Sequence, residues 1–279
     1  MKILKTNIEL AEWLSEIRQK GVSLGFIPTM GALHQGHLSL VKQSTDENDY
    51  TIVSVFVNPK QFNNTQDFEK YPVSTQKDID LLEKSLCDAV FMPGYKEVYP
   101  EKTKQIKLDL GNLNGVFEGP ERPGHFDGVV QVVYRLFDLI QPSIAYFGLK
   151  DFQQCMVIKL LKNAYFPKIK LQFCPTAREE SGLAMSSRNA RLSDEDKKKA
   201  ARIYQVLNIV KGLFHHIEAF DAINYGKHLL KNAQIEVEYF SLANIDTFTP
   251  MVKWQKNNKN VLLIAAYVEG VRLIDNIVF

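Results

Sequence analysis

The chain is poor in cysteine. Its 279 residues hold three, Cys87, Cys155 and Cys174, widely separated in sequence. They form no Cys-x-x-Cys pair and no Cys/His spacing of the zinc type, so neither a disulfide framework nor a structural zinc site is expected. Reduced, buried thiols fit a cytoplasmic protein. An excess of charge of either sign is also missing: 34 Lys and Arg face 32 Asp and Glu, a formal net charge of +2. That balance gives no electrostatic case for a nucleic-acid or anionic-membrane partner. Long hydrophobic runs are absent as well. The stretch Val261 to Val268 is too short to span a bilayer. Met1 to Trp13 mixes Lys2, Lys5, Glu9 and Glu12 with apolar residues and lacks the core of a secretory leader. There is no internal repeat and no low-complexity tract. What remains is ordinary globular composition, 45% hydrophobic and 24% charged, in a length suited to one large or two ordinary domains.

Up to about Cys174, β-like and helical patterns alternate. The runs Val22–Ile27, Thr51–Val57, Ala89–Met92, Ile144–Phe147 and Ile169–Phe173 predict strands. Ile8–Lys20, Ser74–Leu86 (Ser74 as N-cap), Phe126–Ile140 and Phe152–Ala164 predict helices. Such alternation implies an α/β domain, a Rossmann-like doubly wound parallel sheet whose ligands bind beyond the C-terminal strand ends. After Arg191 the pattern changes. Ser193-Asp194-Glu195-Asp196 opens a helix with acidic residues in its first turn, and helical pattern continues to about Asn232. Ile235, Val237 and Tyr239 then alternate with Glu236 and Glu238 as a half-buried strand. Val261–Val268 and Val271–Val278 flank Glu269-Gly270 as a hairpin. The expected division is residues 1–180 as the ligand-binding domain and 181–279 as a smaller C-terminal α+β domain.

The densest chemistry lies in Pro28-Thr29-Met30-Gly31-Ala32-Leu33-His34-Gln35-Gly36-His37. A strand feeds a Gly-containing turn that opens a helix, and a helix start offers unpaired N–H groups and a positive dipole end to anions. His34 and His37, three apart, can present donors on one side, and Gly36 between them leaves room for a nucleotide. A His-x-Gly-His quartet also caps helices or binds metal, so its weight depends on the other motifs. Met185-Ser186-Ser187-Arg188 offers two hydroxyls and a guanidinium suited to phosphate oxygens, although alone it reads as a polar turn. Gly148-Leu149-Lys150-Asp151 follows a strand. Lys150 is a point charge for phosphate, and Asp151 suits helix capping, a ribose hydroxyl or Mg²⁺. Asn58 and Gln61, with Gln153-Gln154, supply neutral amides for a polar substrate bearing hydroxyls and a carboxylate. Glu118–Gly128 is a Gly/Pro-rich loop before a helix, suited to covering a site or joining subunits. Lys77-Asp78 begins an amphipathic helix as its charged face.

In this order and spacing, Pro28–Val41, Phe56–Phe62, Arg122–Gly128, Gly148–Gln154 and Met185–Asn189 resemble the pantoate–β-alanine ligase family of the His-x-Gly-His nucleotidyltransferase superfamily. The resemblance covers nearly the whole chain. It implies ATP-dependent condensation of (R)-pantoate with β-alanine through a pantoyl-adenylate, with release of AMP and pyrophosphate. Met30, Gly31, Ala32, Leu33, His34, Gln35, Gly36 and His37 would bind ATP, with His37 the proton donor. Lys150, Ser186, Ser187 and Arg188 would neutralise the polyphosphate, and Gly148, Leu149, Asp151, Ala177 and Met185 would complete the nucleotide contacts. Gln61 and Gln154, with Asn58, would hold pantoate, whose methyl groups would pack on Val132 and Val133. Asp78 would neighbour Mg²⁺. Leu149 and Ala177 stand where the family often has Glu and Val, and Lys77 stands where a second acid would strengthen the metal assignment. The resemblance also implies a homodimer. Two other functions compete: a transferase that leaves the nucleotide on a phosphorylated acceptor, and a nucleotide-binding regulatory module without turnover. The neutral amides speak against the first and the full set of phosphate-neutralising groups against the second.

Overall fold

Six apolar runs of the first part of the chain pair in a single parallel sheet. The structure, a computed structural model, describes residues 1–63, 68–255 and 259–279. The strands are β1 (Lys2–Leu4), β2 (Leu24–Thr29), β3 (Tyr50–Val55), β4 (Ala89–Phe91), β5 (Ile144–Gly148) and β6 (Lys170–Cys174). Their spatial order is β1-β4-β3-β2-β5-β6, and every pair is parallel. From β2 the chain steps outward to β3 and β4, then returns to the other side of β2 for β5 and β6. The order therefore reverses between β2 and β5, which pair at Gly25 with Ile144 and Phe26 with Ala145. Helices Asn7–Arg18, Gln35–Glu47, Thr75–Glu83, His125–Ile140 and Phe152–Tyr165 connect the strands. Phe26, Ile27, Ile52, Val53, Ala89, Val90 and Phe91 are fully buried, the continuous burial of a sheet covered on both faces. The predicted strands and helices of this part form, with ends displaced by a few residues. β1 was not predicted, because three residues are too few to show a period.

The chain divides into two compact units. Unit 1 comprises Met1–Asn114, Glu118–Leu149 and Gln153–Pro175; unit 2 comprises Gly115–Phe117, Lys150–Phe152 and Thr176–Phe279. Unit 2 carries a four-stranded antiparallel sheet in the order β10-β9-β7-β8, with β7 at Glu236–Asn244, β8 at Pro250–Met251, β9 at Asn260–Val268 and β10 at Val271–Val278. Glu269 and Gly270, both with positive φ, make the two-residue turn of the β9–β10 hairpin. Helices Asp194–Ala200, Arg202–Leu213 and Ala219–Asn232 supply Ala200, Val206, Leu207, Val210, Ala222 and Leu230 to a core completed by Phe240, Leu242, Leu262 and Ile264 of the sheet. Ser193 and Asp196 form the capping box of the first of these helices. The two short first-half pieces are tied to this unit by aromatic packing: Phe117 meets Tyr239 and Phe248, and Phe152 stacks on Phe248. Among the described residues, no helix is long and apolar enough to cross a membrane.

Candidate active site

At the reversal point of the sheet, β2 ends at Thr29 and β5 at Gly148, so the Met30–His37 turn and Gly148-Leu149 leave the C-terminal ends of adjacent strands. The turn is stitched down at each step. Thr29 Oγ1 donates to the carbonyl of Ser54 at 2.7 Å and accepts the N–H of Gly31 at 3.2 Å. Leu33 is buried in the core beneath, with Leu40, Val41, Val53 and Tyr146. His34 is the N-cap of helix Gln35–Glu47: its Nδ1 accepts the N–H of Gly36 at 3.1 Å. Nδ1 of His37 accepts the N–H of His34 at 3.4 Å. The rings lie side by side, their centroids 4.1 Å apart. With each Nδ1 an acceptor, each imidazole carries its proton on Nε2. The sequence motif thus becomes a pair of adjacent N–H donors at a helix start, a geometry suited to phosphate oxygens.

The amide group of Gln61 lies close by. Its Nε2 donates to the sulfur of Met30 at 2.6 Å, which links the Pro59–Gln61 turn to the histidine turn. Asn58, expected to hold substrate, is fully buried and its amide is fully engaged. Its Nδ2 donates to Gln61 Oε1 and to the Gly128 carbonyl, and its Oδ1 accepts from Tyr99 Oη and the Lys60 N–H. Burial pushes the Tyr99 phenol well above its ordinary range, so it stays a donor. Asn58 thus holds the amide of Gln61 in place. A second support comes from the Arg122–Gly128 motif. His125 Nδ1 bonds the Gln61 carbonyl at 2.7 Å, and Arg122 meets His125 Nε2 at 3.0 Å. A side chain on Gly128 would lie 2.1 Å from the Lys60 carbonyl oxygen, so only glycine lets helix His125–Ile140 approach this turn. That helix also carries buried Val132 and Val133. In helix Phe152–Tyr165 the two glutamines part company. Gln153 is buried, bonding the Leu113 carbonyl and the Glu118 N–H, whereas Gln154 is half-buried.

The remaining candidates belong to unit 2. Met185 N–H donates to the Ala177 carbonyl, and Arg178 bridges to Ala184, so residues 177–185 form a small hairpin. Arg178 donates to both carboxylate oxygens of buried Asp275, at 2.7 and 2.8 Å, and to the Gly182 carbonyl. Its guanidinium also stacks over Tyr204. Burial pushes the Asp275 carboxyl upward, opposed by the Arg178 charge. Ser186 caps the turn Ser187–Arg191 by accepting the Arg188 N–H. Met185, Ser186, Ser187 and Arg188 are all half-buried. On the neighbouring residue to Asp275, Asn276 Nδ2 donates to the Lys150 carbonyl at 2.9 Å, and Lys150 pairs with Asp151 at 3.4 Å. Asp275 and Asn276 of β10 thus anchor both the hairpin and the lysine. The sequence offered no sign of this, since the partners lie 97 and 126 residues apart.

Asp78 does not fit a magnesium ligand. It is 1% exposed and its oxygens accept the N–H groups of Ala32 and Leu33 and the hydroxyl of Ser74. Ser74 stands at the predicted N-cap position but bonds this carboxylate instead of the helix backbone. Among the described residues no group of three or more His, Cys, Asp or Glu is placed to hold a metal ion. The thiols take no part: burial pushes Cys87 up to about 12 and Cys174 to about 11.

A family model described as pantoate-beta-alanine ligase matches residues 2–278. A pantothenate synthetase of Cytophaga hutchinsonii is 48% identical over 269 residues, 95% of this chain and 94% of that protein. One from Christiangramia forsetii is 44% identical over 280 residues, 99% of each. Among solved structures, pantothenate synthetase from Thermus thermophilus superposes with a TM-score of 0.90 at 37% identity, over 99% of both chains. A pantoate-beta-alanine ligase from Francisella tularensis, complexed with beta-gamma ATP and beta-alanine, gives 0.81 at 36% identity, over 99% of this chain and 97% of that one.

Proposed function

This chain belongs to the pantoate–β-alanine ligase family, and from that premise we propose which of its groups perform the reaction. The enzyme condenses pantoate with β-alanine at the expense of ATP. A carboxylate is a poor acylating agent, and adenylation gives it a good leaving group. In the proposed route the pantoate carboxylate attacks the α-phosphorus of ATP, forming pantoyl-adenylate and expelling pyrophosphate. The β-alanine amine then attacks the acyl carbon and AMP leaves. No side-chain nucleophile is needed, in keeping with three buried thiols.

The observation that carries this reading is the pair of Nε2–H donors set by the backbone-bonded Nδ1 atoms of His34 and His37. Such donors stabilise charge as it develops on phosphate oxygens without reorganising. His37 is the proposed proton donor. Met30 to His37, with Gly148, Leu149, Asp151, Ala177 and Met185, are the proposed nucleotide contacts. Lys150, Ser186, Ser187 and Arg188 are the proposed neutralising groups. Gln61 and Gln154 are proposed to hold pantoate, with Val132 and Val133 beside its methyl groups. Mg²⁺ is proposed to arrive on the phosphates of ATP, a common mode for this ion. A homodimer and a cytoplasmic location complete the proposal, and sedimentation checks the first. Incubation with ATP, Mg²⁺, pantoate and β-alanine should yield AMP in proportion to pantothenate. No AMP above background with this substrate pair would defeat the assignment.

A further inference from the structure

We infer that Asp78 is a positioning residue for the nucleotide-binding turn, an inference that rests on the adenylation reading above. Its Oδ2 accepts the N–H of Ala32 at 2.9 Å and its Oδ1 that of Leu33 at 2.8 Å. Two successive backbone N–H groups converging on one carboxylate form an anion-binding nest. The preceding backbone is unusual: Gly31 has φ +78° and Ala32 φ +48°. Alanine rarely adopts that region, and two charge-assisted hydrogen bonds hold it there. The fit is close, since a side chain on Gly31 would lie 2.9 Å from Asp78 Oδ2 and 3.1 Å from Val55 Cγ1. Ser74 Oγ adds a donor to Oδ1 at 3.1 Å. All three hydrogen-bond partners of the carboxylate, Ala32 N–H, Leu33 N–H and Ser74 Oγ, are donors, as a buried anion needs and a cation site does not.

The residue after this nest is His34, whose ring caps the helix and whose backbone N–H donates to His37 Nδ1. Asp78, 1% exposed and on a separate helix, therefore sets where both imidazoles stand without touching substrate. A displacement of about 1 Å in a catalytic group can cost about a hundredfold in rate.

Asp78→Asn removes the charge and turns an NH₂ group toward one of the two backbone donors. Pantoate-dependent ATP–pyrophosphate exchange should then fall at least about tenfold and the KM for ATP rise about tenfold, with the KM for pantoate within about twofold. Saturating Mg²⁺ should restore neither. Ser74→Ala keeps the carboxylate and both backbone bonds, and should shift ATP alone by about two- to threefold. Recovery of Asp78→Asn at high Mg²⁺ would mark a metal ligand and overturn the inference. So would unchanged ATP binding by calorimetry, or equal losses for ATP and pantoate. If the wild-type enzyme shows no exchange, the adenylation reading fails, and calorimetric ATP binding by the two proteins still decides the role of Asp78. If Asp78→Asn does not fold, Ser74→Ala decides alone: a selective ATP shift supports the anchor, and no shift refutes it.

Discussion

The two units hold their candidate groups by different means. In unit 1 the histidine turn and Gln61 are each backed by a buried side chain from a distant segment: Asp78 behind the turn and His125 behind Gln61. In unit 2 the Met185–Arg188 segment is half-buried, with local backbone bonds and turns supported by the Arg178–Asp275 pair and by Asn189, which bonds Ala184 and Glu179. Buried polar networks fix geometry tightly and fail abruptly when one member is removed. A turn held by its own backbone tolerates change and moves more easily. The imidazoles proposed as donors thus follow a turn with buried support. The groups proposed to neutralise phosphate, Lys150 and Arg188 among them, sit half-buried on short turns.

The sharpest way to break this contrast is at the buried Arg178–Asp275 pair of unit 2. Asp275→Ala strands Arg178 and should destabilise unit 2 by about 3 kcal/mol, read from denaturant unfolding. A loss under about 1 kcal/mol would mean that the hairpin stands without the pair. Next comes His37→Ala, which should slow single-turnover adenylation about 10²- to 10³-fold, as for loss of a preorganised donor. An unchanged rate would remove His37 from the mechanism. Gln61→Ala should raise the KM for pantoate about tenfold and move that for ATP far less. Equal losses would deny it a substrate-holding role. The smallest expected effect is that of thiol alkylation. Iodoacetamide at neutral pH should leave Cys87 and Cys174 unmodified and activity intact, because burial keeps both as thiols.

Much of unit 1 was legible because its signals are local. The alternation of strands and helices and the His-x-Gly-His turn are read over short stretches of sequence. What could not be read is pairing across long separations. Asp78 reads as the charged face of an amphipathic helix, and only the fold brings it to Ala32 and Leu33, 46 and 45 residues earlier. Asn58 reads as a loop amide, and only the fold brings Tyr99 and Gly128 to bond it. The tie of Arg178 to Asp275 spans 97 residues, and nothing in either segment announces the other. Phe117 and Phe152 sit within first-half patterns yet pack with Phe248 of unit 2, a tertiary choice that no local period records.

The most direct test of the adenylate route follows an oxygen atom. With pantoate labelled by heavy oxygen in its carboxylate, one labelled oxygen should appear in the phosphate of AMP as pantothenate forms. Label in inorganic phosphate with ADP as the nucleotide product, or no label in AMP at all, would contradict attack of the carboxylate on the α-phosphorus.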